Sequence, residues 1–109
     1  MTRYQAEQEQ AETQRARLAR QIRAEVEGAR AVLMVRQEAL DAYERATLPS
    51  NDELRRITQA AYQEGEIGIL ELLDAYRVSG SARLRRLDLQ AAVKEASIEL
   101  ERVVGEELK

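Results

Sequence analysis

Two glycines three residues apart, Gly65 and Gly68, separate two long stretches that carry almost no other helix breaker. A glycine inside a helix costs about 1 kcal/mol relative to alanine. The pair therefore predicts a reversal of direction rather than one continuous rod. The residues around it are Ile67, Ile69, Leu70, Leu72 and Leu73, where a solvated turn would show Asn, Ser, Lys or Pro. An apolar tip of this kind points to a tip that touches something. Charged residues make up 34 % of the chain and aromatics 4 %, the usage of long helices and coiled coils. The expected fold is all-α: a long antiparallel α-helical hairpin, coiled-coil-like, with a break near Pro49, packing into a helical bundle or α-barrel.

The organisation follows from the spacing. A first helix is expected over 2–46, its continuation over 50–64, a tip turn over 65–68 and a return helix over 69–107. The first helix carries a heptad seam of Ile22, Val26, Ala29, Leu33, Leu40 and Tyr43, with Arg36 as a polar intruder. Tyr4, Ala11 and Leu18 keep a seven-residue repeat, joined to that seam by a stutter. The polar N-terminal part is expected to fray. Thr47, Leu48 and Pro49 break the pattern. Ser50 and Glu53 have the spacing of a capping box that restarts it, and Leu54, Ile57 and Ala61 lead on to the tip.

The return helix is apolar on two faces. One stripe is Leu70, Leu73, Leu84, Leu87, Ala91 and Ile98. The other is Leu72, Ala75, Ala82, Leu89, Val93, Ala96, Leu100 and Val103. A helix in a two-stranded hairpin needs only one stripe, so two imply neighbours on both sides. Antiparallel register sets Pro49 opposite Val78-Ser79-Gly80-Ser81, a shared flexible waist.

Much chemistry is excluded. Cys and His are both absent, which removes disulfides and the usual soft metal ligands. Carboxylates alone on exposed helices do not select a transition metal, so neither a metal site nor a cofactor is expected. The net charge of −3 is mild and both signs are interleaved, against a nucleic-acid partner. Arg83, Arg85 and Arg86 read as a solvated face paired with nearby carboxylates. No apolar run is long enough to span a bilayer, and the polar sequence after Met1 shows no signal peptide. There is no nucleophile–base pair, phosphate-cradling loop or paired-carboxylate cleft, so no enzyme and no catalytic residue is expected.

The tip and the return helix beyond it resemble the TolC-like outer-membrane efflux proteins. The matching residues are Ala61-Tyr62, Gly65, Ile69, Leu72-Leu73-Asp74-Ala75, Ala82-Arg83, and Leu100-Glu101-Arg102 with Gly105. The run GEIGILELLDAYR is most similar to the heavy-metal branch, the cobalt–zinc–cadmium resistance type. The match is to the periplasmic helical hairpin of the second repeat in a much longer protein. The resemblance implies a tunnel wall in a trimeric channel, with a tip that docks on a periplasmic adaptor protein and, through it, serves an inner-membrane pump. The implied docking residues are Gly65, Glu66, Ile67, Gly68, Ile69 and Leu72. Tyr62 and Asp74 match positions of the closed gate.

The gate Arg of the namesake protein corresponds here to Ile67, which implies an apolar constriction or another latch. Asp74 also has a local alternative, a pair with Arg77 three residues on, and Tyr62 an alternative role in packing. Ser79-Gly80-Ser81 departs from the helix formers expected there. The location implied is the periplasmic part of an outer-membrane protein, and self-association is expected from the two-faced helix. Two other readings compete: the coiled-coil hairpin of a periplasmic adaptor, for which one seam would suffice, and a generic structural bundle, for which the tip would be polar.

Overall fold

A computed structural model describes residues 2–109. The chain is an all-α helical hairpin with two long arms packed against each other, the first 61 residues long. That arm comprises α1 (Arg3–Ala42), a π-helical segment (Tyr43–Thr47) and α2 (Leu48–Gln63); the return arm is α3 (Ile69–Glu107). The hairpin divides into two compact units: a terminal unit (Met1–Met34 with Glu95–Lys109) and a tip unit (Val35–Lys94). Among the described residues, no helix is long and apolar enough to cross a membrane.

In the terminal unit α1 begins on a capping box, but not at the place the sequence pattern suggested. The Thr2 N–H donates to Gln5 Oε1 (3.0 Å) and the Gln5 N–H to Thr2 Oγ1 (3.1 Å). Two otherwise unpaired N–H groups are satisfied reciprocally, so helix starts at Arg3 despite the polar sequence. Val26 is buried, with Ile22, Ala29 and Leu33 half-buried on the same face; Ala96 and Val103 are buried on α3. Val103, 1 % exposed, is the most enclosed side chain. Glu25, Ala29, Val32, Ala96, Arg102 and Val103 line one groove between the arms. Tyr4 and Leu18 are exposed, and Leu18 lies beside Glu106, Glu107 and Lys109 in a shallow groove with Arg15, Ala19 and Ile22.

Glu99, Arg102 and Glu106 form a surface network. The Arg102 Nη2 donates to Glu99 Oε1 and its Nη1 to Glu106 Oε1, each at 2.6 Å. The guanidinium also gives Glu99 a second bond from Nε, at 3.0 Å. This fork holds the Glu99 carboxyl below its ordinary range.

In the tip unit the break expected near Pro49 takes the form of a π turn rather than an interruption. The Leu48 N–H donates to the Tyr43 carbonyl, five residues back, and helix continues to Gln63. Pro49 explains the turn. Its ring lacks an N–H and collides with the carbonyl four residues earlier, that of Arg45; widening the preceding turn relieves the clash. The expected capping box at Ser50 therefore does not form. With helix on both sides there is no free N–H to cap, and Ser50 Oγ donates to the Ala46 carbonyl instead (2.9 Å).

The π turn inserts one residue into the heptad and rotates everything after it by about 100°. Tyr43 and Glu44 both come to face α3: Tyr43 OH donates to the Ala82 carbonyl (2.8 Å), and Arg86 Nε to Glu44 Oε1 (3.3 Å). Beyond them Leu48, Asn51, Arg55, Thr58 and Ala61 are half-buried. Leu54 and Ile57, the apolar residues that lead on to the tip, are 53 % and 56 % exposed. Each forgoes about 1 kcal/mol, roughly half the value of full burial. Arg55 Nε is buried without a hydrogen-bond partner, at a cost of about 1–3 kcal/mol. Together these losses are of the same order as the ~3 kcal/mol that a proline costs in an unrelieved α-helix.

α3 runs unbroken through Ser79-Gly80-Ser81. Leu72, Ser79, Ala82, Ala96 and Val103 are buried and Ala75, Arg86, Leu89, Val93 and Leu100 half-buried, stepping three and four throughout. Ser79 and Arg86 thus complete the second apolar stripe read from sequence. The waist expected at Pro49 and Val78–Ser81 is displaced. Leu48 and Asp52 share a groove with Arg83, Arg86, Leu87 and Gln90, one turn further along α3.

Candidate functional site

The tip is built by a Schellman turn. The Glu66 N–H donates to the Ala61 carbonyl (2.9 Å) and the Gly65 N–H to the Tyr62 carbonyl (3.0 Å). Gly65 has φ +78°, the left-handed conformation that closes such a turn. The Gly68 carbonyl then accepts the Leu72 N–H (3.3 Å) and opens α3. Gly65 and Gly68 therefore have different duties: one reverses the chain, the other starts the return helix.

Of the expected docking residues, Gly65, Glu66, Gly68 and Ile69 are exposed and Ile67 is half-buried. Leu72 is not available. It is 7 % exposed, because it is the first member of the seam that faces the other arm. The apolar surface of the tip is carried by Ile69 together with Leu70 and Leu73, of which Leu70 is 78 % exposed. Glu64, Glu66, Glu71 and Asp74 fringe this knob with negative charge. Tyr62 is exposed on the last turn of α2. Asp74 is engaged by its own helix, accepting bonds from Arg77 Nη2 (2.8 Å) and Nε (3.3 Å).

Leu70 and Leu73 also begin a second seam. Leu84 and Leu87 continue it with the same stepping, Arg77 and Gly80 occupying the intervening positions, and all four leucines are exposed. The stripe is offset by two residues from the buried seam, about 160° around the helix. The two faces of α3 are thus nearly opposite. Ala91 and Ile98 extend the same stepping along α3 and are exposed as well. The signal that could have placed Leu70 and Leu73 in the site was in the sequence: their heptad phase is that of Leu84 and Leu87, not of Leu72.

The basic cluster is partly paired. Arg86 meets Glu44, and Arg83 lies 4.0 Å from Asp52. Among the described residues, no group of three or more His, Cys, Asp or Glu is placed to hold a metal ion. No protein-family model matches the chain, and no curated protein or solved structure is significantly similar to it.

Proposed function

We propose that this hairpin is the periplasmic wall-and-tip element of a TolC-like outer-membrane efflux channel of the heavy-metal branch. The observation that carries the reading is the second, unpartnered heptad seam on α3. A hairpin closes with one seam, and Leu70, Leu73, Leu84 and Leu87 supply another on the opposite face. Helices with seams on opposite faces pack side by side into walls or bundles, whereas an adaptor hairpin needs only the first seam. The apolar knob at the tip supports docking on an adaptor, and through it on an inner-membrane pump. Its carboxylate fringe favours a partner surface with Lys or Arg at the rim. In this reading Tyr62 and Ile67 contribute an apolar gate, and Asp74, tied to Arg77, shapes the first turns of α3.

The test is capture of the hairpin by periplasmic adaptor hairpins, comparing the parent chain with Ile69→Asp/Leu70→Asp and with Leu84→Asp/Leu87→Asp. Binding lost only in the first variant supports tip docking. Binding to no adaptor, or binding unchanged by the tip variant, sinks the docking assignment. Sedimentation tests the wall: self-association at high concentration that Leu84→Asp/Leu87→Asp abolishes is expected, and a strictly monomeric parent would remove the argument from the second seam.

A further inference from the structure

We infer that α2 has two registers against α3 and that the π turn at Tyr43–Thr47 is the switch between them. The inference stands on the tip unit alone and does not depend on the proposed function.

Counting from Leu40 in an unbroken α-helix, the three-four stepping lands on Tyr43, Thr47, Ser50, Leu54, Ile57 and Ala61. This is the apolar register. In the structure the extra residue of the π turn advances the phase by one, and the inward positions become Glu44, Leu48, Asn51, Arg55 and Thr58. The observed register is the more polar of the two. It leaves Leu54 and Ile57 mostly in solvent and Arg55 Nε buried without a partner. The apolar register would bury both side chains and release Arg55, but at the cost of seating Pro49 in an ordinary α turn. These opposing costs are similar in size, the condition for two populated states.

Local contacts permit the change. Tyr43 precedes the point of divergence and faces α3 in both registers, so its bond to Ala82 serves as a pivot. The rotation would break two ion pairs, Asp52–Arg83 at 4.0 Å and Glu44–Arg86 at 3.3 Å, both at least a third exposed and so of small worth. At the far end, rotation of α2 is taken up in the glycine turn, where neither Gly65 nor Gly68 has a neighbour crowding its Cβ position. Single-residue insertions of this kind are where helices commonly place functional hinges. The rotation would withdraw Leu54 and Ile57 from the outer face of the tip unit and present Asn51, Arg55 and Thr58 in their place. The outer surface of α2 would thereby change from apolar to polar without unfolding.

The chain has no cysteine, so thiol pairs report register directly. Thr58→Cys/Ala75→Cys joins two inward positions of the observed register, and Ile57→Cys/Ala75→Cys joins the corresponding positions of the apolar one. Arg56→Cys/Ala75→Cys, with Arg56 outward in both, sets the background. Under mild oxidation both of the first two pairs should close in the full chain, the second at about a tenth of the rate of the first or less, as befits a minor state. Deleting Thr47 together with Pro49→Ala removes the extra residue without restoring the proline clash, and so locks the observed phase. The 57–75 disulfide should then fall to background while 58–75 persists. Should that deletion fail to fold, Leu54→Glu in the full-length chain serves the same purpose, because it places a charge in the seam only in the apolar register. A 57–75 rate equal to that of the Arg56 control in the parent chain overturns the inference. So does a 57–75 rate that neither Leu54→Glu nor the deletion reduces.

Discussion

In the terminal unit the first arm turns Ile22, Val26, Ala29 and Leu33 towards the inter-arm face; in the tip unit the same arm turns Asn51, Arg55 and Thr58 inward. α3 behaves alike in both, offering a three-four seam of mostly small or apolar residues. The difference lies in one inserted residue. Where α1 keeps its phase, apolar spacing and burial coincide, and Val103 is enclosed. Beyond the π turn they separate, and Leu54 and Ile57 are left outside. A heptad pattern therefore predicts which face is buried only while the helix between its members stays α.

A charge placed on each face of α3 should give the largest difference. Val103→Asp should destabilise by about 3 kcal/mol or more, since it buries an unpaired carboxylate. Leu84→Asp should leave the dilute chain within about 0.5 kcal/mol of the parent. Urea denaturation followed by circular dichroism checks both, and equal losses would erase the distinction between the two faces of α3. Next in size is Gly65→Ala, which forces a Cβ into the left-handed region and should cost about 1–2 kcal/mol by the same assay.

Arg55→Leu should work in the opposite direction. It removes the unpartnered Nε and places an apolar side chain at an inward position, raising stability by about 1 kcal/mol. A loss would show that the guanidinium is satisfied in solution and that the tip seam is less compromised than its polar residues imply. The smallest effect belongs to the surface network. Glu99 has its carboxyl held below the ordinary range by the hydrogen bonds from Arg102. Its contribution to stability is present above the unfolded-state pKa and is lost as pH falls through the lower folded-state value. Comparing parent and Glu99→Gln across an acid titration should show a small gap near neutral pH that closes in acid; a gap that widens in acid would reverse the assignment.

Much of this was legible in the residues. The glycine pair gives the reversal, and the spacing back from Val103 through Leu100, Ala96, Val93 and Leu89 gives the buried face of α3. That same count lands on Leu72, which is why the seam claims it and docking cannot. Ser79 and Arg86 escaped because they are polar at seam positions, although their spacing fits. The phase of α2 was hidden for a different reason. An inserted residue leaves no mark of its own in the hydrophobic pattern: Thr47, Leu48 and Pro49 read as a break, and the apolar series through Leu54 and Ile57 resumes after it with nothing to show its phase. The clue was Pro49, whose clash falls on the turn just before it. Likewise Ser50 and Glu53 match a capping box by type and spacing, while Thr2 and Gln5 form one because at Arg3, unlike at Ser50, a helix begins with free N–H groups.

The hydrogen bond from Tyr43 to the Ala82 carbonyl has a practical consequence for spectroscopy. The chain has no tryptophan and four tyrosines, so its near-ultraviolet absorbance and emission come from those phenols alone. Tyr4, Tyr62 and Tyr76 are exposed, leaving Tyr43 as the one ring that is half-buried and bonded to the other arm. A chain in which Tyr4, Tyr62 and Tyr76 are replaced by Leu would carry one aromatic chromophore, positioned where the two arms meet beside the π turn. Its ultraviolet signal would then register the separation of the arms at that single height, with no added label.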